Sequence, residues 1–147
     1  MPAECAFCRL LSHPEEAHIV WEDRDTLAFL DNRPLFPGHC LLIPRRHFGT
    51  LTDLPPDLVA PLFASARLLC NAVVAAMHAE GSFVAINNTI SQSVPHLHVH
   101  VVPRKKKDGL RGFMWPRTTY PTPEIAREVA AAIRRETLRS KPSTPLS

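Results

Sequence analysis

Residues 95–102 have the sequence Pro-His-Leu-His-Val-His-Val-Val, in which histidines alternate with apolar residues. Side chains of a β-strand alternate between the two faces of a sheet. We therefore expect a strand from Pro95 to Val102, with the histidines on an open face and the apolar residues packed into a core on the other. The histidines are His96, His98 and His100, and the apolar residues are Leu97, Val99 and Val101.

The rest of the chain predicts an α+β fold with a mostly antiparallel sheet, one long helix and a C-terminal helix. Apolar residues recur three or four positions apart from about Pro55 to Ala79, which predicts the long helix, capped by Asp53 or Asp57. A C-terminal helix is predicted from Glu124 to Leu138. Short apolar runs joined by turns predict further strands at Ile19–Glu22, Thr26–Leu30, Cys40–Ile43 and Phe83–Ile86.

Length and composition limit the class of protein. A chain of 147 residues falls within the usual size of one domain, so we expect a single domain over residues 1–139 and a flexible tail over 140–147. The net charge of +3 suits anionic ligands and is far from a nucleic-acid-binding signature. No uninterrupted apolar run reaches the ~18 residues of a membrane span, and the N-terminus does not resemble a secretory signal. We expect a cytoplasmic protein that does not contact a membrane.

The polar residues before the histidine strand suit phosphate oxygens, because Asn87, Asn88, Ser91, Gln92 and Ser93 carry neutral hydrogen-bonding groups. A His-x-His pair can also bind zinc. The backbones of the outer two histidines would lie ~13 Å apart, so at least one histidine is left for other work. Three hypotheses for the function of these histidines stay open. One histidine could be a nucleophile, the site could bind a nucleotide without catalysis, or the histidines could be the ligands of a zinc hydrolase.

Residues 92–104, Gln-Ser-Val-Pro-His-Leu-His-Val-His-Val-Val-Pro-Arg, resemble the signature of the histidine triad (HIT) family. The resemblance runs from Cys5 to about Arg104. Its other motifs are Cys5-Ala6-Phe7-Cys8, Ala28-Phe29-Leu30-Asp31, Pro37-Gly38-His39 and Ile43-Pro44-Arg45-Arg46-His47. It implies a nucleotide-binding HIT-like fold, usually a homodimer, that cleaves at the α-phosphate of nucleoside phosphoramidates, dinucleoside polyphosphates or acyl nucleotides.

The resemblance also implies a role for each site residue. His98 is similar to the family's nucleophile and would form a covalent nucleotidyl-histidine, with its other ring nitrogen donating to a fixed acceptor such as a backbone carbonyl. His100 would bind the phosphate or protonate the leaving atom, and His96 completes the triad. Asp31 would accept hydrogen bonds from the ribose hydroxyls of a purine nucleotide. Phosphate oxygens would be held by Asn87, Gln92 and Ser93, although the spacer between Asn87 and Gln92 is shorter than usual in the family and lacks its common glycines.

Some of these residues, and some others, could instead have purely structural roles. Asp31 precedes Asn-Arg-Pro and could simply form a turn, and His39, after Pro-Gly, is interpreted as a turn residue. Lys105 to Lys107 are interpreted as a solvated charged loop. The segment from Phe113 to Arg117 could close over the site or serve ordinary packing.

Cys5 and Cys8 have the spacing of metal ligands. The resemblance implies that Cys5, Cys8, His47 and His96 form a closed Cys₂His₂ zinc site, which would be structural and leave the chemistry metal-free. The alternative is a set of reduced free thiols.

Overall fold

The computed structural model describes residues 4–110 and 117–140. It has three α-helices, α1 (Ala6–Ser12), α2 (Pro56–Ala76) and α3 (Pro123–Ser140), and two short 3₁₀ helices, Pro14–Glu16 and Leu51–Asp53. The strands are β1 (Ile19–Glu22), β2 (Thr26–Leu30), β3 (Cys40–Pro44), β4 (Gly81–Ala85) and β5 (Val99–Arg104).

The chain divides into two compact units, Met1–Asp108 and Gly109–Ser147. The first contains all five strands with α1 and α2, and the second contains α3. The prediction of a single domain over residues 1–139 stays a prediction. Of the tail predicted over residues 140–147, residue 140 belongs to α3, and residues 141–147 lie outside the described residues. Residues 113–116 of the aromatic segment Phe113–Arg117 lie outside them as well.

The five strands form one antiparallel sheet in the order β1-β2-β3-β5-β4. This confirms the predicted α+β class and its antiparallel sheet. The β1–β2 hairpin has the predicted bounds, and Asp23 closes it by accepting hydrogen bonds from the Asp25 and Thr26 amides at 2.9 and 2.7 Å. The β3–β5 pairing sets Leu41 opposite His100, which brings the Pro-Gly-His segment beside the histidine strand.

Both faces of the sheet are covered, and β3 shows why. Leu42 packs with Leu97 and Val99 in the core cluster that includes α2, whereas Leu41 and Ile43 pack with Phe7 of α1 in a second cluster. A strand buried on both faces is expected to be apolar throughout, as β3 is. The histidine face was expected to be open, and that prediction is wrong because α1 lies over it: His96 is 0% and His98 3% exposed.

Helix α2 is amphipathic, and its apolar side packs against the sheet. Its buried residues recur at helical spacing, and removing a side chain such as Leu62 would cost about 2–5 kcal/mol. The buried residues are Leu62, Ser65, Ala66, Leu69 and Val73. By length and composition alone α2 could also cross a membrane, with a mean hydropathy of 1.8, but core helices of soluble proteins meet the same criterion.

The predicted cap of α2 and the predicted start of the histidine strand differ from the structure. The N-cap of α2 is Pro55, which makes no side-chain cap; Asp53 instead caps the preceding 3₁₀ helix with Thr50, and Asp57 lies in the first turn. Pro61 lies inside the helix. The histidine strand begins at Val99 rather than Pro95, because His96 and Leu97 bond outside the sheet ladder.

Candidate active site

His98 lies just before β5 and its imidazole has a fixed tautomer. Its Nδ1 is 2.7 Å from the carbonyl oxygen of His96, an atom that can only accept. Nδ1 therefore carries the proton, and Nε2 carries a lone pair that no side chain among residues 4–110 and 117–140 occupies. The ring of Phe7 meets His98 edge to face, with centroids 5.2 Å apart, and limits its rotation.

His100 is oriented through His39, and a chain of hydrogen bonds assigns the protons. The Leu35 amide donates to His39 Nδ1 at 3.0 Å, so the proton of a neutral His39 is on Nε2. That Nε2 lies 3.0 Å from His100 Nδ1, which must accept. His100 consequently carries its proton on Nε2, with the ring centroids of His98 and His100 5.0 Å apart.

Burial keeps both members of this pair neutral. Desolvation lowers the pKa of His39, with the Asp31 carboxylate acting weakly in the opposite direction. Desolvation, reinforced by the neighbouring His98 and His39, lowers the pKa of His100 to about 4. Near neutral pH the assignment of one proton per ring therefore holds, and His100 can act only as a hydrogen-bond donor through Nε2.

His39 was interpreted as a turn residue, and its amide does donate to the Phe36 carbonyl at 3.0 Å in that turn. The structure adds a second role, because the buried ring also bonds to His100. Its position directly before a strand was visible in the sequence. What could not be read there was that this strand pairs with the histidine strand, which is the pairing that brings the two rings together.

Asp31 forms the turn that was one of its two interpretations, while its role toward the ribose hydroxyls stays a prediction. Its Oδ1 accepts from the Arg33 amide at 2.9 Å and forms the expected turn. Its Oδ2 lies 3.7 Å from His39 Nε2, and the side chain is 18% exposed. One carboxylate oxygen therefore shapes the backbone, while the other faces the histidines.

A cavity of about 460 Å³ adjoins these residues. Asp31 stands in its wall, and Phe7 and Phe29 supply aromatic surface, their rings packed edge to face at 5.4 Å. The positions of Phe7, Phe29 and His18 in the cavity wall were not predicted from the sequence. Phe7 lines this cavity and also packs edge to face against His98, whereas His98 and His100 are not among the cavity's lining residues.

The loop from Asn87 to Ser93 is braced by its own side chains. Gln92, predicted to hold phosphate, accepts from the Thr89 amide at 2.9 Å and donates to the Gly49 carbonyl at 2.6 Å. Asn88 accepts from the Leu51 amide at 2.9 Å. Asn87 and Ser93 form no side-chain hydrogen bond within the described ranges, so of the three predicted phosphate ligands these two have uncommitted side chains.

Two residues of this loop have left-handed backbones, Thr89 with φ 67° and Ser91 with φ 60°. The glycines that the resemblance implies for this loop are absent, and a branched residue such as Thr in this region is strained. The short spacer therefore keeps a glycine-like conformation without glycines. Such strain is often stored at functional loops.

The predicted zinc ligands Cys5, Cys8, His47 and His96 come together, with their ligand atoms all within 4.8 Å of one another. The two Nδ1 atoms are 3.2 Å apart, and the Sγ–Nδ1 separations are 3.3, 3.5 and 3.6 Å. A tetrahedral zinc ion with nitrogen and sulfur ligands separates its ligand atoms by roughly 3.3–3.8 Å. His96 Nε2 lies 3.0 Å from the Pro44 carbonyl, which leaves the lone pair on Nδ1, directed into the cluster. The residues fit a closed zinc site.

The three triad histidines have separate surroundings. His96 belongs to the Cys–His cluster, His100 groups with Asp31 and His39, and His98 belongs to neither group. The three histidines therefore do not converge on one metal ion, as the zinc-hydrolase hypothesis would require. Burial, together with Cys5, raises the pKa of the Cys8 thiol to about 11, so Cys8 would need a cation to become a thiolate near neutral pH.

Comparison with known proteins gives the family. A HIT domain model matches residues 13–107. An uncharacterized HIT-like protein of Mycobacterium tuberculosis is 36% identical, over 91% of this chain and 92% of its own length. The adenylylsulfatase HINT3 of Arabidopsis thaliana is 35% identical over 73% of this chain, and the asymmetrical bis(5'-nucleosyl)-tetraphosphatase of Schizosaccharomyces pombe is 34% identical over 74%. The matches span only 55% and 59% of those two enzymes.

Solved structures agree. A HIT family member from Bacillus subtilis superposes with a TM-score of 0.81 at 28% identity, covering 90% of this chain and 96% of that one. A zinc-bound histidine triad family protein from Mycobacterium smegmatis gives a TM-score of 0.67 at 34% identity, covering 92% and 97%. With the family model matching well over half of the chain and its motifs assembled around one site, this protein belongs to the HIT family.

Proposed function

We propose that this protein is a nucleotide hydrolase or nucleotidyl transferase that attacks the α-phosphate of nucleoside phosphoramidates or dinucleoside polyphosphates through His98. The observation that carries the proposal is the 2.7 Å contact between His98 Nδ1 and the His96 carbonyl, which leaves the Nε2 lone pair as the nucleophile. Relatives named for hydrolysing adenylyl sulfate and dinucleoside tetraphosphate support this class of activity.

The proposed reaction has two displacements. His98 Nε2 forms a bond to the α-phosphorus while the bond to the leaving group breaks, and the leaving atom receives a proton. Water then attacks the same phosphorus, the P–N bond to His98 breaks, and a nucleoside monophosphate leaves with the imidazole restored. Each step exchanges one bond at phosphorus, so no redox partner or metal is required.

His100 supplies a hydrogen-bond donor beside the nucleophile. Its Nε2–H suits a phosphate oxygen or the leaving atom, since His39 occupies Nδ1. A donor already oriented before substrate arrives costs no reorganisation during the reaction. Asn87 and Ser93 add neutral donors; Gln92 could join them only by giving up its bonds to Gly49 and Thr89.

The cavity beside Phe7 and Phe29 is the proposed nucleoside site. Its aromatic wall suits a purine base, and Asp31, which lines the same cavity, would accept from the ribose hydroxyls. On this basis we expect Asp31→Asn to raise KM for an adenosine phosphoramidate at least about tenfold, because an amide accepts more weakly than a carboxylate.

Zinc, if bound, would be held by Cys5, Cys8, His47 and His96 and would supply structural cross-linking. The cluster joins α1, which carries Phe7, to His96, whose carbonyl orients His98. The metal would therefore stabilise the contacts of His98 with Phe7 and with the His96 carbonyl, and it would not itself touch the reacting atoms.

A homodimer and a cytoplasmic location are part of the same proposal. Strand β4 is an edge strand, and apolar side chains are exposed on it and on α2, surfaces that a second copy would cover. They are Val59, Phe63, Leu68 and Val84, each 40–42% exposed. None of the four cysteines forms a disulfide, as is usual in a reducing compartment.

The deciding experiment compares the wild type, His98→Ala and the matched control His13→Ala on an adenosine phosphoramidate. His13 is exposed and remote from the triad, so its variant should keep full activity. His98→Ala should lose at least about a thousandfold in kcat/KM. Rapid quenching of the wild type should trap a protein heavier by one nucleoside monophosphate on the peptide that contains His98.

Retained turnover by His98→Ala would end the nucleophile proposal. The second candidate is a nucleotide-binding module without catalysis. It predicts that calorimetry detects binding of adenosine monophosphate, while neither nucleoside phosphoramidates nor dinucleoside polyphosphates give any product.

A further inference from the structure

The cavity proposed for the nucleoside has a polar side as well as an aromatic one. Its polar side chains besides Asp31 are Glu16, His18 and Asn32. They come from two segments that are joined where the β1–β2 hairpin ends, because the Leu30 amide donates to the His18 carbonyl at 3.0 Å. A planar base that stacks on the aromatic rings has its edge left for these polar groups.

Of these three polar side chains, only Glu16 is restricted to one direction of hydrogen bonding. An ionised carboxylate accepts and never donates. The Asn32 amide both donates and accepts, and a neutral imidazole does the same, so Asn32 and His18 can adapt to either purine. Glu16 can bond only to a base edge that offers N–H groups.

Arg9 of α1 keeps the Glu16 carboxylate ionised and engages only one of its oxygens. The Arg9 guanidinium donates to Glu16 Oε1 at 3.0 Å, and this hydrogen bond lowers the pKa of Glu16. Among residues 4–110 and 117–140, Glu16 Oε2 forms no hydrogen bond or ion pair. The pair therefore offers an acceptor, Glu16 Oε2, next to the remaining N–H donors of Arg9.

Guanine and adenine differ at the atoms that such a pair would contact. Guanine carries two adjacent donors, N1–H and the N2 amino group, next to the acceptor O6. The donors suit a carboxylate, and O6 suits a guanidinium. Adenine carries a lone pair at N1 and an amino group at C6, so it sets an acceptor against the carboxylate and a donor against the guanidinium. Polar groups left unpaired in this way lower the affinity for adenine.

We propose that the Glu16–Arg9 pair makes this site selective for guanine nucleotides over adenine nucleotides, with Glu16 accepting from N1–H and N2 and Arg9 donating to O6. The inference rests on the proposed function and narrows its substrate class from purine to guanine nucleotides. The Arg9 and Glu16 side chains are 68 and 43% exposed. Water competes for these groups, so we expect a preference of about tenfold rather than the larger ratios of buried sites.

The first test compares kcat/KM for guanosine, inosine and adenosine phosphoramidates. The wild type should prefer guanosine to adenosine at least about tenfold. Inosine should fall between them, because it keeps N1–H and O6 but lacks the N2 amino group. Glu16→Gln, whose amide can present a donor or an acceptor, should reduce the guanosine preference to within about threefold. The matched control Glu15→Gln changes a neighbour that pairs with His13 outside the cavity wall, and it should keep the wild-type ratio.

Two kinetic results would overturn the inference while leaving the proposed hydrolysis intact. One is equal kcat/KM for guanosine and adenosine phosphoramidates in the wild type. The other is an undiminished guanosine preference in Glu16→Gln, since the selectivity would then come from other groups.

The second test separates selection of the base from catalysis by calorimetry with the two monophosphates. Guanosine monophosphate should bind the wild type at least about tenfold more tightly than adenosine monophosphate, and Glu16→Gln should remove most of that difference. If this difference is found while no phosphoramidate is hydrolysed, the hydrolase proposal fails and the base selection stands. If the two monophosphates bind equally, or neither binds, the base selection is overturned.

Discussion

His39 Nε2 and His100 Nδ1 lie 3.0 Å apart, and this contact decides which nitrogen of His100 faces the reaction. The Leu35 amide occupies the other nitrogen of His39, so the donor role of His39 is fixed from the backbone. His100 is left with a single proton, on Nε2. His39 therefore determines that Nε2 of His100 is the hydrogen-bond donor beside His98, and in the proposed reaction His39 does not contact the substrate.

We expect His39→Ala to lower kcat roughly tenfold or more with a smaller change in KM, because His100 loses the partner that fixes its tautomer. His39→Gln can place an amide donor near the former Nε2 and should recover part of the loss, whereas His39→Leu should not. Steady-state kinetics measure this, and nitrogen NMR of the imidazoles reports the His100 tautomer directly. Equal kcat for the Gln and Leu variants would assign His39 a packing role only.

Stability should fall as the solution is acidified, because the pKa of His100 is lowered from its ordinary 6.5 to about 4. Between those values the unfolded chain binds a proton that the folded site refuses, so the free energy of unfolding decreases as pH falls. His39, whose pKa is also lowered, acts in the same direction, while Asp31 opposes both.

The His100 contribution is at most about 3 kcal/mol between pH 7 and pH 4. Urea denaturation at several pH values measures it, with His100→Gln as the control that cannot titrate. The variant should show a shallower pH dependence than the wild type. Parallel curves for the two proteins would show that His100 has no lowered pKa.

Zinc should be present at one ion per chain by elemental analysis, and Cys8→Ser should abolish it. Loss of the metal should lower the free energy of unfolding by at least about 3 kcal/mol, since the bound ion stabilises only the folded state. Chelated protein that remains folded at low temperature should keep its activity, because no step uses the metal. Immediate loss of turnover in folded, chelated protein would contradict a purely structural site.

Gly38→Ala should lower the free energy of unfolding by about 1–3 kcal/mol. Gly38 has φ +94°, and a Cβ there would lie 2.6 Å from Met77 Cγ. The Met77 side chain can move, so the Met77→Ala background removes its clash and leaves the backbone strain together with a 3.2 Å approach to Pro103 Cγ. Thermal or urea unfolding of the single and double variants separates the two costs. Full recovery in the double variant would show that the backbone cost is negligible.

Thr89→Gly should raise the free energy of unfolding by up to about 1 kcal/mol, because glycine adopts the observed φ of 67° without strain. Thr52→Gly is the matched control, since Thr52 lies in a 3₁₀ helix, and it should lose stability. Kinetics of Thr89→Gly then show whether the strained loop contributes to turnover. A destabilised Thr89→Gly protein would mean that contacts of the threonine outweigh its backbone strain.

The sequence predicted local structure well where a single periodicity dominated. The bounds of the β1–β2 hairpin were predicted from two short strand-like runs and the Asp-Arg-Asp turn between them, and α2 was predicted from the spacing of Leu62, Leu69 and Val73. Errors fell at element ends. The bounds of β5 depended on where ladder pairing with β3 begins, and pairing between distant segments leaves no signal in either segment alone.

The sequence by itself determined the chemistry available: a triad of imidazoles, two thiols at ligand spacing and a polar loop, because residue types and short spacings are local properties. Tertiary structure decided which of these groups meet. Pairing of β3 with β5 brought His39 to His100, and packing of α1 on the sheet covered His98 and carried Cys5 and Cys8 to His47 and His96. Contacts between segments far apart in the chain depend on packing of the whole core, which no short stretch encodes.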